Sequence, residues 1–341
     1  MRHFIHFVCR KRLKTSICIL FALVALIPLV TIVISTYYSD RRQIIENRDQ
    51  LARLDLTHVT QELDSEIGSY ENILYQLYTD SELAEKIRQL NNGEASAVAR
   101  NQIRRELRSV FWLRDDITSI TVIAKNNEQV FYDRLSTSLQ TNPCIHNFDL
   151  TDDELFAALS TAKGYMIYPV RFATHFANSD YYLFYIGHKG LNEKAITQTD
   201  AVFLMSVDVD LIRTALKASS FSNEEYYSFI IDQSGHVVFH PNLSCIGEFA
   251  GTSTSDLQSY ITRSTVIGGK NLVYYTQNSA QTGWTVISVL DCAPFTAAID
   301  QRLLISLSIS ALSFLIAFAF VVMITSHLTQ SVEHTCNTIT E

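Results

Sequence analysis

Two long stretches without a charged residue lie toward the two ends of the chain, at residues 15–39 and 303–326. Each is about two dozen residues long, enough for a helix to cross a hydrocarbon layer roughly 30 Å thick. The residues between them mix polar and apolar positions, as a domain folded in water does. The pattern therefore predicts transmembrane helices at 15–38 and 302–326 that flank a large polar segment.

Basic side chains before the first apolar stretch predict its orientation. Residues 1–14 contain basic residues and no acidic one: Arg2, Arg10, Lys11, Arg12 and Lys14. Short segments rich in lysine and arginine stay on the cytoplasmic side, so we expect 1–14 and 327–341 in the cytoplasm and the central segment outside the cell membrane. A cleaved signal peptide is the competing interpretation, but the stretch exceeds the usual length of about 7–15 residues and 31–40 has no A-x-A site.

An apolar stripe at helical spacing follows the first membrane segment. Its members are three or four positions apart: Leu56, Val59, Leu63, Ile67, Tyr70, Leu74 and Leu77. This spacing predicts a long helix from about Asp40 to Asp80, and a second helix is predicted at Ser96–Trp112, both within 39–115. The stripe either packs against its own domain or forms the seam of a homodimer, because the spacing also suits a coiled coil.

Strand patterns then occur twice in the same order. The first set is Ile117–Ala124, Gln129–Arg134, Tyr165–Phe172, Tyr181–Gly187 and Val202–Val207. The second set is Tyr227–Ile231, His236–His240, Tyr260–Ile267, Asn271–Thr276 and Val286–Leu290. The repetition predicts two similar modules, 116–220 and 221–301, each with a five-stranded antiparallel sheet, in an α+β fold.

Turn and cap residues punctuate these strands. The second hairpin has the turn Asp232-Gln233-Ser234-Gly235, in which aspartate and glycine are typical turn residues. Asp208 and Asp291 each close the last strand of a set and precede a helical pattern. We therefore expect both aspartates to be helix N-caps.

The order of these elements and one segment resemble a known receptor family. The run from Ile231 to Pro241 (IDQSGHVVFHP), followed by Ile246-Gly247, is similar to the membrane-proximal D-x-x-G-x-(V/I)-(V/I)-x-H-P…G segment of the double Cache (dCache) sensors. From Thr15 to Glu341 the chain looks most like the ectodomains of Gram-positive sensor histidine kinases. The resemblance implies tandem PAS-like (double Cache) modules, the first membrane-distal and the second membrane-proximal, and a HAMP-like linker that starts at 327–341.

The resemblance also implies a function. It predicts an extracytoplasmic ligand-sensing input module of a bacterial transmembrane receptor, with a histidine kinase as the favoured output. The input half of a chemotaxis receptor, and a membrane-anchored interaction protein without output, are the alternatives. The expected partners are a second copy of the chain and a small-molecule ligand in the distal module.

Several other kinds of chemistry are not indicated. The sequence has no G-x-S-x-G, P-loop or H-E-x-x-H motif, so we expect no enzyme activity and no cofactor in the chain as given. A formal net charge of −8 argues against a nucleic-acid partner. His236 and His240 lie about 13 Å apart on a strand, too far to share a metal ion. Cys245 and Cys292 either form a disulfide or are small buried side chains.

Candidate ligand-binding residues lie in an aromatic part of the distal module. Its aromatic residues are Tyr165, Tyr168, Phe172, Phe176, Tyr181, Tyr182, Phe184 and Tyr185. Small-molecule sites combine such a lining with a few polar groups. We predict a site of Tyr168 and Tyr181, with Arg171 for a carboxylate and Asp200 for an ammonium group.

The family resemblance supports Asp200, because these sensors often have a ligand-binding aspartate at the start of the final distal strand. The Arg-x-Trp-Tyr element of the amino-acid-binding members is absent from 141–165. Ordinary sheet packing of the aromatic residues, with a surface ion pair for Arg171, is the competing interpretation.

Overall fold

The computed structural model describes residues 2–93, 97–134, 150–174, 180–192, 195–216, 226–267 and 271–339. The chain forms two compact units, one of Met1–Leu51 with Cys292–Glu341 and the other of Ala52–Asp291. The first unit consists of helical segments. Within the described residues, two helices are long and apolar enough to cross a membrane, and their apolar windows are not buried inside the protein. The prediction of two candidate membrane helices is confirmed at this level.

The first helix, α1, is continuous from Arg2 to Thr79 and includes Pro28. The helix predicted to start near Asp40 is therefore the extension of the first membrane candidate. All seven residues of the apolar stripe are buried within the chain, and Val59, Leu63 and Ile67 are fully buried. The stripe thus packs against its own domain, so a homodimer seam along α1 would need another face of the helix.

Two helices follow where one was predicted. Helix α2 covers Ser81–Asn91 and α3 covers Ala97–Val110. The prediction missed α2, which begins because the Asp80 side chain accepts the Leu83 N–H at 2.8 Å and so caps the new helix. Helix α4, Asp152–Thr161, was also not predicted, although Thr151 and Glu154 form a capping box at its start.

The first sheet has five antiparallel strands in the order β2-β1-β5-β4-β3. The strands are β1 Ile117–Ala124, β2 Gln129–Asp133, β3 Met166–Thr174, β4 Asp180–Asn192 and β5 Ala195–Asp208. The five predicted strands are all present. Strand β5 starts upstream of the predicted Val202, so Asp200 lies within this strand and not ahead of it. Helix α5, Asp210–Leu216, follows.

The second sheet has four antiparallel strands in the order β7-β6-β9-β8. The strands are β6 Tyr226–Ile231, β7 Val237–Phe239, β8 Leu272–Asn278 and β9 Thr285–Asp291. The predicted fifth strand at Tyr260–Ile267 is wrong, because this stretch belongs mainly to helix α6, Thr254–Ser264. Helix α7, Ala293–Ile339, ends the described chain.

The error at α6 has a physical cause. Leu257, Tyr260 and Ile261 are buried on one helical face, and Ser253 caps the helix by accepting the Asp256 N–H at 3.2 Å. The aromatic and β-branched residues at the end of the stretch suggested a strand, while the cap and the spacing of three and four determine a helix.

The predicted turn and cap residues have different outcomes. Asp232 accepts the backbone N–H groups of Ser234 and His236, and Gly235 has a φ of 85°, as a tight hairpin turn requires. Asp208 accepts the Asp210 N–H at the start of α5, but the residue directly before this helix is Val209 and not Asp208. The helix after β9 starts at Ala293, so the residue directly before it is Cys292 and not Asp291.

Both cysteines considered for a disulfide are free and buried. Cys245 lies in a short 3₁₀ turn, Leu243–Cys245. The Arg48 guanidinium donates to Cys292 Sγ at 3.0 Å. The interpretation as small buried side chains is therefore the correct one for this pair.

Candidate ligand-binding site

The two faces of the first sheet pack against different partners. On one face, Phe184 and Phe203 join the core around the apolar stripe of α1. On the other face, Tyr185 and Leu204 join a smaller cluster with Leu159 of α4. Because side chains alternate along a strand, these contacts assign the neighbouring residues of β4 and β5 to one face or the other. We call the face that packs against Leu159 the α4 face.

Helix α4 comes unusually close to this sheet at one position. Gly187 of β4 lies opposite Leu204 of β5. A Cβ added at Gly187 would lie 2.5 Å from Leu159 Cδ2, so any larger residue here would require the Leu159 side chain to move. The next pair on the α4 face is Tyr185 and Ser206, each two residues from this contact along its strand.

A row of polar side chains crosses the α4 face at this next pair. Asp133 of β2 lies opposite Ser119 of β1, which lies opposite Ser206 of β5. Ser206 lies opposite Tyr185 of β4, and Tyr185 lies opposite Tyr168 of β3. Strands are about 4.8 Å apart, so the row spans about 19 Å. We call these five residues the polar row.

The part of the polar row on β2, β1 and β5 is removed from water. Ser119, Asp133 and Ser206 are 3%, 7% and 1% exposed. Ser206 Oγ lies 2.6 Å from Ser119 Oγ, and burial raises the pKa of Tyr168. Burying polar groups costs free energy that apolar side chains would not incur. Hydrogen bonds within the sheet offset part of this cost, because Ser206 Oγ also lies 2.7 Å from Thr118 Oγ1.

The chemistry of the row suits a ligand that donates hydrogen bonds. Serine and tyrosine hydroxyls donate and accept, and the Asp133 carboxylate supplies acceptor oxygens. Asp208 lies two residues beyond Ser206 on the same strand, and its pKa is raised mainly by burial. Ammonium and hydroxyl groups are the natural complements of such a surface.

Three of the four predicted site residues belong to β3 and β4, the two strands at one end of the polar row. Tyr168 is a member. Arg171 lies opposite Leu183 in the backbone register, and Tyr181 lies opposite Ala173. The side chains of Arg171 and Tyr181 lie outside the described part of the structure, so their ligand-binding roles stay predictions.

Asp200 is separated from the other three predicted residues. It lies six residues before Ser206 on β5, which is about 20 Å along an extended strand. Its carbonyl oxygen accepts hydrogen bonds from Asn91 Nδ2 at 2.8 Å and from the Lys125 N–H at 3.1 Å. The structure thus places Asp200 where β5 meets α2 and the β1–β2 turn, away from the polar row.

Sequence reasoning did not select Ser119, Asp133, Ser206 or Tyr185 as site residues. A weak signal was present, because Ser119 and Ser206 interrupt strands that are otherwise largely apolar. What selects them is the register between β1, β2 and β5, which pairs residues up to 87 positions apart. A single sequence carries little information about that register.

The corresponding face of the second sheet is filled by large side chains. Tyr227 of β6 lies opposite Val289, which lies opposite Tyr274, and Tyr227 and Val289 pack against α6. His236 is exposed, whereas His240 is buried. Among the described residues there is no cluster of three or more potential metal-ligating side chains.

The fold is similar to those of known sensor ectodomains. One solved structure is the ligand-binding domain of the Pseudomonas fluorescens chemoreceptor CtaA in complex with L-leucine, with a TM-score of 0.52 and 8% identity. It covers 76% of this chain and 99% of the CtaA domain. Another is the extracellular domain of soHK1S-Z6, a protein named as a histidine kinase, with a TM-score of 0.50, 12% identity, and coverage of 77% and 99%.

No family model matches the sequence, and no curated protein matches it. The identities to the solved structures are low, so they establish the fold alone. That fold is the one predicted from the double Cache resemblance, with sheet-rich modules flanked by two candidate membrane helices.

Proposed function

We propose that the chain is the ligand-sensing input module of a bacterial transmembrane receptor. The polar row is the observation that carries this proposal. It places buried hydroxyls and a buried carboxylate on the sheet face against which α4 packs. Hydroxyls and a carboxylate side by side are groups that can exchange hydrogen bonds with a polar small molecule.

The ligand we propose is a small molecule with ammonium or hydroxyl groups. Asp133 supplies the acceptor for a charge-assisted hydrogen bond, and Ser119 and Ser206 supply hydroxyls beside it. Tyr168 and Tyr185 provide the aromatic side of the site. Amino acids belong to this chemical class, and the CtaA domain binds one, L-leucine.

The experiment is a thermal-shift screen of the full chain in nanodiscs with amino acids, amines and polyols, followed by calorimetry of the best compound. Ser206→Ala removes a neutral hydrogen bond, which is worth about 0.5–1.5 kcal/mol, so affinity should fall about three- to tenfold. Asp133→Asn removes a charged acceptor and should weaken binding further.

Ser288→Ala is the matched control. Ser288 is also a buried serine that lies 2.9 Å from another serine hydroxyl, that of Ser228, but it belongs to the second sheet. The Ser288→Ala variant should bind the compound with the same affinity as the parent chain. Equal losses in Ser206→Ala and Ser288→Ala, or no compound that binds at all, would contradict the proposal.

We further propose that the receptor is a homodimer with the central domain outside the cell membrane and both ends in the cytoplasm. The basic segment 1–14 supports this orientation. Ligand binding then favours one of two conformations, and the change reaches the output through α7. A histidine kinase remains our first choice of output and a chemotaxis receptor the second, because both classes share this fold.

A further inference from the structure

The histidine that follows β7 is buried among aromatic rings of the second module. His240 is 0% exposed. Its ring centroid lies 5.6 Å from the rings of both Tyr227 and Phe229 and 6.3 Å from that of Tyr260. The side chain is thus part of the second core rather than of the surface.

One hydrogen bond defines the protonation state that fits this site. The Asn242 N–H donates to His240 Nδ1 at 3.0 Å. Nδ1 accepts only when it carries a lone pair, so the proton of the neutral ring lies on Nε2. Nε2 is buried and has no hydrogen-bond partner among the described residues. The neutral ring fits the site, and a charged ring does not.

Protonation of Nδ1 would remove the acceptor that holds Asn242. The Asn242 side chain in turn caps the 3₁₀ turn Leu243–Cys245, because its Oδ1 accepts the N–H of Ser244 at 3.2 Å. The chain then returns to β7, where the Gly247 N–H donates to the Val237 carbonyl at 2.8 Å. We call the loop His240–Gly247 the latch. A single proton on His240 Nδ1 would break the hydrogen bond that holds its first turn.

The ionisable neighbours of His240 do not compensate a charge on its ring. Tyr227 on β6 and Tyr260 on α6 are neutral in acid, because burial raises their pKa values. Cys245 lies in the latch, and the Arg263 guanidinium lies 5.5 Å over the Tyr260 ring. Glu248 favours the charged form of His240, but burial outweighs it and lowers the pKa of His240 below its ordinary value of 6.5.

We propose that the latch is a proton-operated switch, closed on the second sheet while His240 is neutral and released when His240 is protonated. Strand β7 pairs with β6, and β6 pairs with β9, which ends next to α7. The latch thus adds acid sensing to the second module. It does not depend on a ligand in the first module.

The sign and size of the effect follow from proton linkage. An open latch exposes His240 and restores a pKa near 6.5, while the closed latch has a lower one. The open fraction therefore rises as the pH falls below about 6.5, by up to about tenfold per pH unit, until the pKa of the closed form is reached.

Cys245 reports the opening, because it is buried within the latch. The full chain in nanodiscs is treated with dithiodipyridine, which reacts with thiols in mild acid, from about pH 7.5 to about pH 5, a range that brackets the ordinary histidine pKa. Mass spectrometry of peptides measures labelling of each cysteine. Each rate is divided by the rate for the chain unfolded in urea at the same pH.

The normalised rate at Cys245 should rise on acidification in the parent chain and stay constant in His240→Asn. Asparagine keeps an acceptor oxygen near the position of Nδ1 but takes up no proton. His188→Asn is the control, because His188 is a buried histidine of the first module and should leave the rise intact.

Three results would overturn the switch: a constant rate in the parent chain, the same rise in His240→Asn, or a parallel rise at buried Cys292 that marks global opening. If His240→Asn is labelled rapidly at every pH, it has lost the closed state. His240→Gln, the other neutral amide, then decides by the same criteria.

Discussion

Leu63 illustrates how a single residue holds α1 to its domain. It is fully buried in the middle of the apolar stripe. Leu63→Ala should lower the free energy of unfolding by about 2–5 kcal/mol, because it leaves a cavity in a packed core. Denaturation of the chain in detergent, followed by the fluorescence of buried Trp284, measures this loss.

Val98 on α3 provides the control, because it is 64% exposed. Val98→Ala should change the free energy of unfolding by no more than about 0.5 kcal/mol. If the two variants lose equal stability, α1 is not held by its stripe.

Polar contacts at the residue scale were less predictable than apolar ones. The Arg114 guanidinium donates to Glu66 at 2.6 Å and lies 4.5 Å over the ring of Tyr70, joining α1 to the start of β1. The stripe was evident from a spacing of three and four, which is a local pattern. Arg114 and its partners are more than 40 positions apart, so only the folded chain brings them together.

At the scale of elements, the sequence predicted every strand of the first sheet and both hairpins, because alternation and turn residues are local signals. It missed α2 and α4, which are short and depend on the caps Asp80 and Thr151. It also assigned Tyr260–Ile267 to a strand, since the β-branched residues outweighed the Ser253 cap.

The candidate site shows the same limit. Tyr168 was predicted from the aromatic composition of its stretch, and it lies on the polar row. Asp200 was selected by its position near the last strand, yet β5 starts earlier and separates it from Tyr168. Register between distant strands decides which side chains meet, and a single sequence does not specify it.

At the scale of the whole molecule, the proposed homodimer makes a prediction about the outer face of α1. Leu51 and Leu54 are 56% and 67% exposed there, whereas the residues of the apolar stripe are buried within the chain itself. Leu54→Cys should form a cross-linked dimer in membranes under mild oxidation, because the exposed leucines are available for a partner helix. Gln258→Cys, exposed on α6, is the control and should stay monomeric. Equal cross-linking of both variants would contradict a seam along α1.

Ligand binding by the polar row of the first module can be observed by hydrogen–deuterium exchange of the full chain in nanodiscs, with and without the compound that gives the largest thermal shift. Binding there should slow exchange in β1 and β5, Ile117–Ala124 and Ala195–Asp208, and leave exchange in β6 and β9 unchanged. Protection confined to the second sheet, or no protection in either sheet, would contradict it.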